Sequence, residues 1–249
     1  MSQEQRTVEF DGFTWELRLP SNVDTELAEG RYWDKDVYEW CKTYALAGMI
    51  CVDAGANIGV FSLLLSRCVG PQGWVYAFEP CQAFVGRLRR HVEINHIKNV
   101  SVVDQALGDR CGAALCHQDG PPYYSTARVE VQCNVPVPNG VQAVDMVTLD
   151  EFFAARKPPG FLKIDIDGNE LQMLTGGRQI IDKYHPIMAI EIPLSDDGVE
   201  VAGWLSEHGY ELSTWKSRVL SPGDCRGSAA GGTRNVLALP LPRHWKTAR

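Results

Sequence analysis

The chain alternates between short apolar segments and longer segments of helical periodicity. Apolar runs of strand length lie at residues 49–52, 74–80, 99–106, 161–166, 186–192, 210–214 and 235–239. Because amphipathic segments separate most of these runs, the pattern predicts an α/β fold, a mostly parallel sheet with helices on both faces. The last two runs have no helix between them, so the final strand can run antiparallel.

Three segments depart from this alternation. Residues 7–19 alternate around Asp11-Gly12, which predicts a β-hairpin. Residues 24–47 are rich in aromatic side chains and are expected to be helical, either as a lid over a site or, as we favour, packed on the sheet. Residues 110–141 are expected to form an inserted loop with one or two antiparallel strands. We therefore expect one domain over residues 1–249, with an N-terminal extension to about residue 48.

The segment Asp53–Gly59 joins the first of the alternating strands to a buried helix that begins at Val60. Gly55 and Gly59 permit close approach of the backbone to a ligand, and a helix start offers free N–H groups. The spacing is Gly-x-x-x-Gly, whereas dinucleotide-binding turns have Gly-x-Gly-x-x-Gly. Asn57 between the glycines favours a ligand without a phosphate. The glycine spacing alone also fits a simple tight turn.

Acidic or amide side chains follow the predicted core strands, at Asp53, Glu79, Asp104, Gln105, Asp165, Asp167 and Glu191. The carboxyl ends of parallel strands meet at one edge of a sheet, where open α/β folds bind their ligands. Buried carboxylates are costly without partners, so this row indicates a site rather than a core. Glu79 lies twenty residues after Gly59, where such folds place the acid that binds ribose hydroxyls.

Composition narrows the classes of partner. The 249 residues carry a formal net charge of −7, which gives no global attraction to nucleic acid or an anionic membrane. We therefore expect neither as a partner.

Eight cysteines occur without a Cys-x-x-Cys pair, which argues against a zinc or thioredoxin-type site and favours a reduced cytoplasmic protein. The first residues lack the apolar core of a signal peptide.

Five blocks, in order, resemble the FkbM-type methyltransferases over roughly residues 35–195. They are 52–62, 77–80, 106–109, 147–151 and 162–170, and Ile190-Glu191-Ile192 also fits. The resemblance implies a Rossmann-like class I fold that binds S-adenosylmethionine (SAM), with a seven-stranded sheet whose last strand is antiparallel. It further implies methyl transfer to oxygen, commonly a hydroxyl of a sugar or polyketide-like natural product, with S-adenosylhomocysteine (SAH) as the second product.

The same resemblance assigns positions in this chain to parts of the cofactor. Around the methionine part it places Asp53, Gly55, Asn57 and Gly59. Glu79 is expected on the ribose, Gln105 and Ala106 at the adenine, and Asp165 at the ammonium or sulfonium end. Asp167 departs from the family's more usual Glu, which leaves its role open.

Chemistry on an alcohol acceptor benefits from a base that removes its proton, and Asp167 and Glu191 are the candidates. The same carboxylates could instead hold Mg²⁺. We expect a metal-free base. The residues leave two other functions open, a nicotinamide-dependent oxidoreductase and a SAM-binding module without catalysis. The missing Gly-x-Gly-x-x-Gly turn counts against the first. The acceptor's identity and the oligomeric state stay open.

Overall fold

The computed structural model describes residues 4–118, 127–131, 137, 141–215, 219–226 and 232–242. Its strands are β1 Glu4–Phe10, β2 Phe13–Leu19, β3 Ile50–Ala54, β4 Trp74–Phe78, β5 Val100–Val103, β6 Gln105–Leu107, β7 Gly112–Gln118, β8 Ala127–Val131, β9 Val141–Val147, β10 Phe161–Ile164, β11 Ile187–Pro193, β12 Tyr210–Ser213, β13 Val219–Leu220 and β14 Thr233–Pro240. Its α-helices are α1 Asn22–Ala28, α2 Lys35–Tyr44, α3 Val60–Val69, α4 Gln82–Ile94, α5 Leu149–Phe153, α6 Glu170–Gly176, α7 Arg178–Tyr184 and α8 Asp196–Glu207.

The central sheet has the strand order β13-β12-β14-β11-β10-β3-β4-β5. Strands β3, β4, β5, β10 and β11 pair in parallel, and β14 runs antiparallel between β11 and β12. This confirms the predicted fold class and the antiparallel last strand. The count differs from the expected seven because the short β13 adds an eighth strand by pairing with β12.

Helices cover both faces of the central sheet, as the apolar runs predicted. Side chains of consecutive strand residues point to opposite faces, and neighbours such as Cys51 and Val52 fall into different core clusters. Cys51 packs with residues of α2 and α3, whereas Val52 packs with residues of α5, α6, α7 and α8. The central strands β3, β4, β10 and β11 are therefore mostly apolar, because helices cover both of their faces.

The N-terminal hairpin forms as predicted, with Asp11 and Gly12 both at positive φ in the turn. The backbone N–H of Thr14 donates to Asn95, the residue after α4, and that of Glu16 donates to His91 in α4. The expected helical segment at 24–47 is two helices, α1 and α2, with a break at residues 29–34. That break brings Trp33 to the edge of the site described below.

The expected strand at 99–106 is divided between two sheets. Its first part is β5 of the central sheet, and its second part, β6, pairs with β9 in a sheet of order β6-β9-β7-β8. The antiparallel strands β7 and β8 of the insert belong to the same second sheet. Of the predicted insert, residues 119–126, 132–136 and 138–140 lie outside the described residues.

The chain after β10 forms two short helices, α6 and α7, which are separated at Gly177. A Cβ at Gly177 would lie 2.8 Å from the side chain of Leu149, so the chain packs closely on α5 where α6 ends. Among the helices of the described residues, none is both long and apolar enough to cross a lipid bilayer.

Candidate functional site

A cavity of about 310 Å³ lies at the carboxyl ends of β3, β4, β10 and β11. This is the edge at which the row of acidic residues was expected. Of the ten residues predicted for the site, eight line the cavity: Gly55, Asn57, Glu79, Gln105, Ala106, Asp165, Asp167 and Glu191. The other two, Asp53 and Gly59, are not on its wall.

Gly55 lines the cavity at the turn that follows β3. It has φ of 73°, and a Cβ at this position would overlap the carbonyl oxygen of Asp165. The backbone N–H groups of Gly55 and Ala56 both donate to the carbonyl of Phe78, at 3.0 and 2.9 Å. Any larger residue would have to separate the turn from β10, so the close approach requires glycine.

Gly59, predicted to lie at the methionine part of a cofactor, does not line the cavity, and its contacts here show a role in packing. It precedes the first residue of α3 with φ of 97°. A Cβ there would overlap the side chain of Leu88, so the missing side chain lets α3 and α4 pack together.

Glu79 follows β4 and is almost completely buried. Its carboxylate accepts hydrogen bonds from the backbone N–H groups of Asn57 at 2.8 Å and Cys81 at 2.9 Å. Burial raises the pKa of Glu79 to about 8, although the two N–H donors act in the opposite direction. The carboxylate thus bridges the glycine turn and the start of α4 on the cavity wall.

Asp53 is fully buried, and its side chain contacts protein rather than the cavity. Its carboxylate accepts a hydrogen bond from Ser62 at 2.6 Å and pairs with the ammonium of Lys163 at 3.5 Å. Burial raises the pKa of Asp53, against the lowering influence of Lys163 and Ser62. The structure therefore gives no support to direct contact between the Asp53 side chain and a ligand.

Lys163 is a site residue that our sequence interpretation missed. Its ammonium reaches the cavity wall and pairs with Asp165 at 3.1 Å. Burial lowers the pKa of Lys163, but the charges of Asp165 and Asp53 outweigh burial and raise it above its ordinary value. A lysine inside a buried strand was a signal in the sequence, since such a charge needs partners.

Three carboxylates gather at the far end of the cavity. Each of Asp165, Asp167 and Glu191 offers an oxygen within 4.8 Å of the others. Glu191 also accepts a hydrogen bond from the hydroxyl of Thr233 at 2.6 Å. Burial, followed by the nearby charge of Asp165, raises the pKa of Glu191 to about 8. This end of the cavity can therefore exchange a proton near neutral pH.

Two further residues of the acidic end come from the N-terminal extension. Asp34 lines the cavity and accepts a hydrogen bond from Asn235 at 2.8 Å. Burial and the charge of Asp165 raise its pKa. Trp33 also lines the cavity, with 53% of the residue exposed. Trp33 belongs to the aromatic segment that was considered as a lid over a site, whereas no sequence signal pointed to Asp34, because its contact with Asn235 of β14 depends on tertiary packing.

Comparison with solved structures places this architecture among known folds. A SAM-dependent O-methyltransferase from Thermotoga maritima superposes with a TM-score of 0.52. The match covers 95% of this chain and 77% of that protein at 14% sequence identity, so it shows a shared fold. The fold is that of class I SAM-dependent methyltransferases.

Sequence comparison identifies relatives among known methyltransferases. Methyltransferase 1 of Beauveria bassiana (strain ARSEF 2860) is 31% identical over 142 residues, which cover 50% of this chain and 57% of that protein. Methyltransferase sdnD of Sordaria araneosa is 28% identical over 189 residues, covering 69% of this chain and 68% of that protein. The chain thus spans little more than half of the first relative. The profile of the Methyltransferase FkbM domain matches residues 53–212, and the chain therefore belongs to the FkbM methyltransferase family.

Proposed function

We propose that the protein is a SAM-dependent O-methyltransferase that methylates a hydroxyl of a small natural product or sugar, releasing SAH. The observation that carries this proposal is one cavity with two different ends. At one end Glu79 and the glycine turn form a nucleoside-type site, and at the other Glu191 has a pKa of about 8. A cofactor and a proton-bearing acceptor can therefore share the same enclosed space.

In this proposal the cofactor lies along the ends of β3 and β4. Glu79 accepts hydrogen bonds from the ribose hydroxyls, and Gln105 and Ala106 border the adenine. The turn from Gly55 to Asn57 and the carboxylate of Asp165 bind the amino-acid end. All of these residues line the cavity, which supports the arrangement. Asp53 and Gly59 do not line the cavity. In this proposal Asp53 acts through its ion pair with Lys163, and Gly59 acts by letting α3 pack against α4.

Glu191 is the base that we favour, with Asp167 beside it as the second candidate. The sulfonium activates the methyl group, so the protein must hold the acceptor in line and remove its proton. A base works best when its pKa lies near the operating pH, and Glu191 meets this condition. Thr233 fixes one carboxylate oxygen of Glu191, which leaves the other available to an acceptor hydroxyl.

Asp165, Asp167 and Glu191 would also suit Mg²⁺, which prefers carboxylate oxygens and would acidify a bound hydroxyl. We propose metal-free catalysis because the ammonium of Lys163 already pairs with Asp165 and would repel a second cation. Full activity after treatment with EDTA is expected. Activity that is lost with EDTA and restored by Mg²⁺ would contradict this part of the proposal.

We further propose a small-molecule acceptor rather than nucleic acid. The chain has a net charge of −7, and the acceptor end of the cavity is acidic. A phosphate backbone would be repelled there. Membership in a methyltransferase family also argues against the nicotinamide-dependent oxidoreductase.

The proposal is tested by binding and turnover. Calorimetry should show saturable binding of SAM and SAH, and a thermal-shift comparison should show stabilisation by SAM but not by NAD⁺. Transfer of a labelled methyl group to a panel of hydroxyl-bearing sugars and polyketides should then identify the acceptor. Stabilisation by NAD⁺ alone would overturn the cofactor assignment. Methylation exclusively on nitrogen or carbon would overturn O-methyl transfer.

A further inference from the structure

Lys163 joins three parts of the candidate site with one ammonium group. Its Nζ donates a hydrogen bond to the carbonyl oxygen of Gly55 at 3.0 Å. It pairs with Asp165 at 3.1 Å and with Asp53 at 3.5 Å. The ammonium is thus within hydrogen-bonding distance of the Gly55 carbonyl and the Asp165 carboxylate, and its contact with Asp53 is a longer ion pair. The side chain is almost completely buried, so water cannot replace these partners.

The hydrogen bond to Gly55 completes the support of a single peptide group. On one side of that peptide, Lys163 holds the carbonyl of Gly55. On the other side, the N–H of Ala56 donates to the carbonyl of Phe78 at 2.9 Å. With both polar atoms bound, the peptide cannot rotate without breaking a hydrogen bond in a buried place, which is costly.

We propose that Lys163 is a positioning residue of the cofactor site, which holds the Gly55–Ala56 peptide and the Asp165 carboxylate in the arrangement that binds the amino-acid end of SAM. This inference rests on the proposed function, because it takes SAM as the cofactor. Lys163 acts through Gly55 and Asp165 and takes no part in methyl transfer itself.

A simpler role would be compensation of the buried charge of Asp53. That role predicts that Lys163 becomes dispensable once Asp53 is neutral. The positioning role predicts that it stays necessary, since Gly55 and Asp165 would still lack their donor. The two roles separate in a double-mutant cycle.

The cycle compares the wild type with Lys163→Met, Asp53→Asn and the double variant. Melting temperature without ligand reports charge compensation, and the Kd for SAH by calorimetry reports positioning. Lys157→Met is the matched control, because Lys157 donates to a glycine carbonyl, that of Gly48, outside the cavity. The control should leave the Kd unchanged.

Lys163→Met should lower the melting temperature and weaken SAH binding by about tenfold or more, the scale of a hydrogen bond from a charged donor. In the double variant the melting temperature should largely recover while binding stays weak. Recovery of both would overturn the proposal, as would an unchanged Kd in Lys163→Met. If Lys163→Met does not fold, the double variant is compared with Asp53→Asn, and equal Kd values would overturn it. A wild type that fails to bind SAH would refute the proposed function instead.

Discussion

The two ends of the cavity are built in different ways. The end around the Gly55 turn, which we propose binds the cofactor, consists largely of backbone. Its N–H groups and carbonyls are bonded to Phe78, Glu79 and Lys163. The end proposed for the acceptor consists of side chains, the carboxylates of Asp167 and Glu191, which lie beside the Asp165 proposed to bind the cofactor. The first end is a fixed shape, whereas the second is a group of interacting charges.

Because the two ends differ in this way, we expect one end to determine the affinity for the cofactor and the other to determine the rate of methyl transfer. Backbone groups held on both sides cannot change protonation, so they suit a ligand that is the same in every turnover. Glu191, whose pKa is raised to about 8 by burial and then by the charge of Asp165, can take up and release a proton near neutral pH. Changes at the cofactor end should therefore affect affinity, and changes at the acceptor end should affect rate.

The largest effect on rate is expected at Glu191. Glu191→Gln should lower kcat by about 100-fold or more, within the range of a lost general base, while the Kd for SAM stays within about twofold. In the wild type, kcat should rise with pH through about 8, since the base is the deprotonated form, and this rise should be absent from the variant. Stopped-time assays across pH 6.5–9.5, about 1.5 units either side of that pKa, measure both.

Asp167→Asn is the comparison for that experiment. If it removes the pH-dependent rise while Glu191→Gln retains it, Asp167 is the base and our assignment of Glu191 is wrong.

At the end proposed for the cofactor, Glu79→Ala should weaken SAM binding by about 100-fold, because the two ribose hydroxyls lose their acceptor. Removal of the carboxylate also frees the N–H groups of Asn57 and Cys81. Calorimetry measures the change in Kd. Glu93→Ala is the control, because Glu93 lies in α4, the helix that follows Glu79, and its side chain is exposed. Unchanged affinity in a folded Glu79→Ala protein would refute the ribose assignment.

Substitution of Gly55 tests whether the fixed shape is required. Gly55→Ala should lower the melting temperature and abolish detectable SAM binding, because the added Cβ overlaps the carbonyl of Asp165. Gly48→Ala is matched to it in φ, at 81° against 73°, but its Cβ would meet open space. The control should cost only about 1–2 kcal/mol of stability, the price of a left-handed alanine, and leave binding intact. Equal effects of the two variants would show that strain, not the close approach, matters.

The smallest effect is expected at the mouth of the cavity. Trp33→Ala should raise the KM for the acceptor by about threefold to tenfold, the value of a partly exposed aromatic contact, with the Kd for SAM unchanged. Trp215→Ala is the control, since Trp215 is similarly exposed, at 41%, but does not line the cavity. An equal change in KM for both variants would argue against an acceptor contact at Trp33.

The sequence located Gly55 and Glu79 on the cavity wall but did not identify Thr233 and Asn235 beside the acidic residues, for a physical reason. The Gly55 turn and Glu79 follow directly from consecutive strand–turn–helix units, so local pattern locates them. Thr233 and Asn235 reach Glu191 and Asp34 only because β14 enters the sheet beside β11. The sequence showed that the last strand can run antiparallel, but not which residues it would bring to the site. Similarly, the pattern could not show that Asp53 points into protein, because strand alternation alone does not identify its partners.

The position of β14 also determines when the site can be assembled during synthesis. A ribosome makes the chain from its N-terminus, so the Gly55 turn, Glu79 and β6 emerge long before Thr233 and Asn235. Until β14 is made, β11 and β12 have no strand between them, and Glu191 lacks its hydroxyl donor. A nascent chain thus has the residues of its nucleoside-type half early, whereas the reactive half is complete only after β14 has been made.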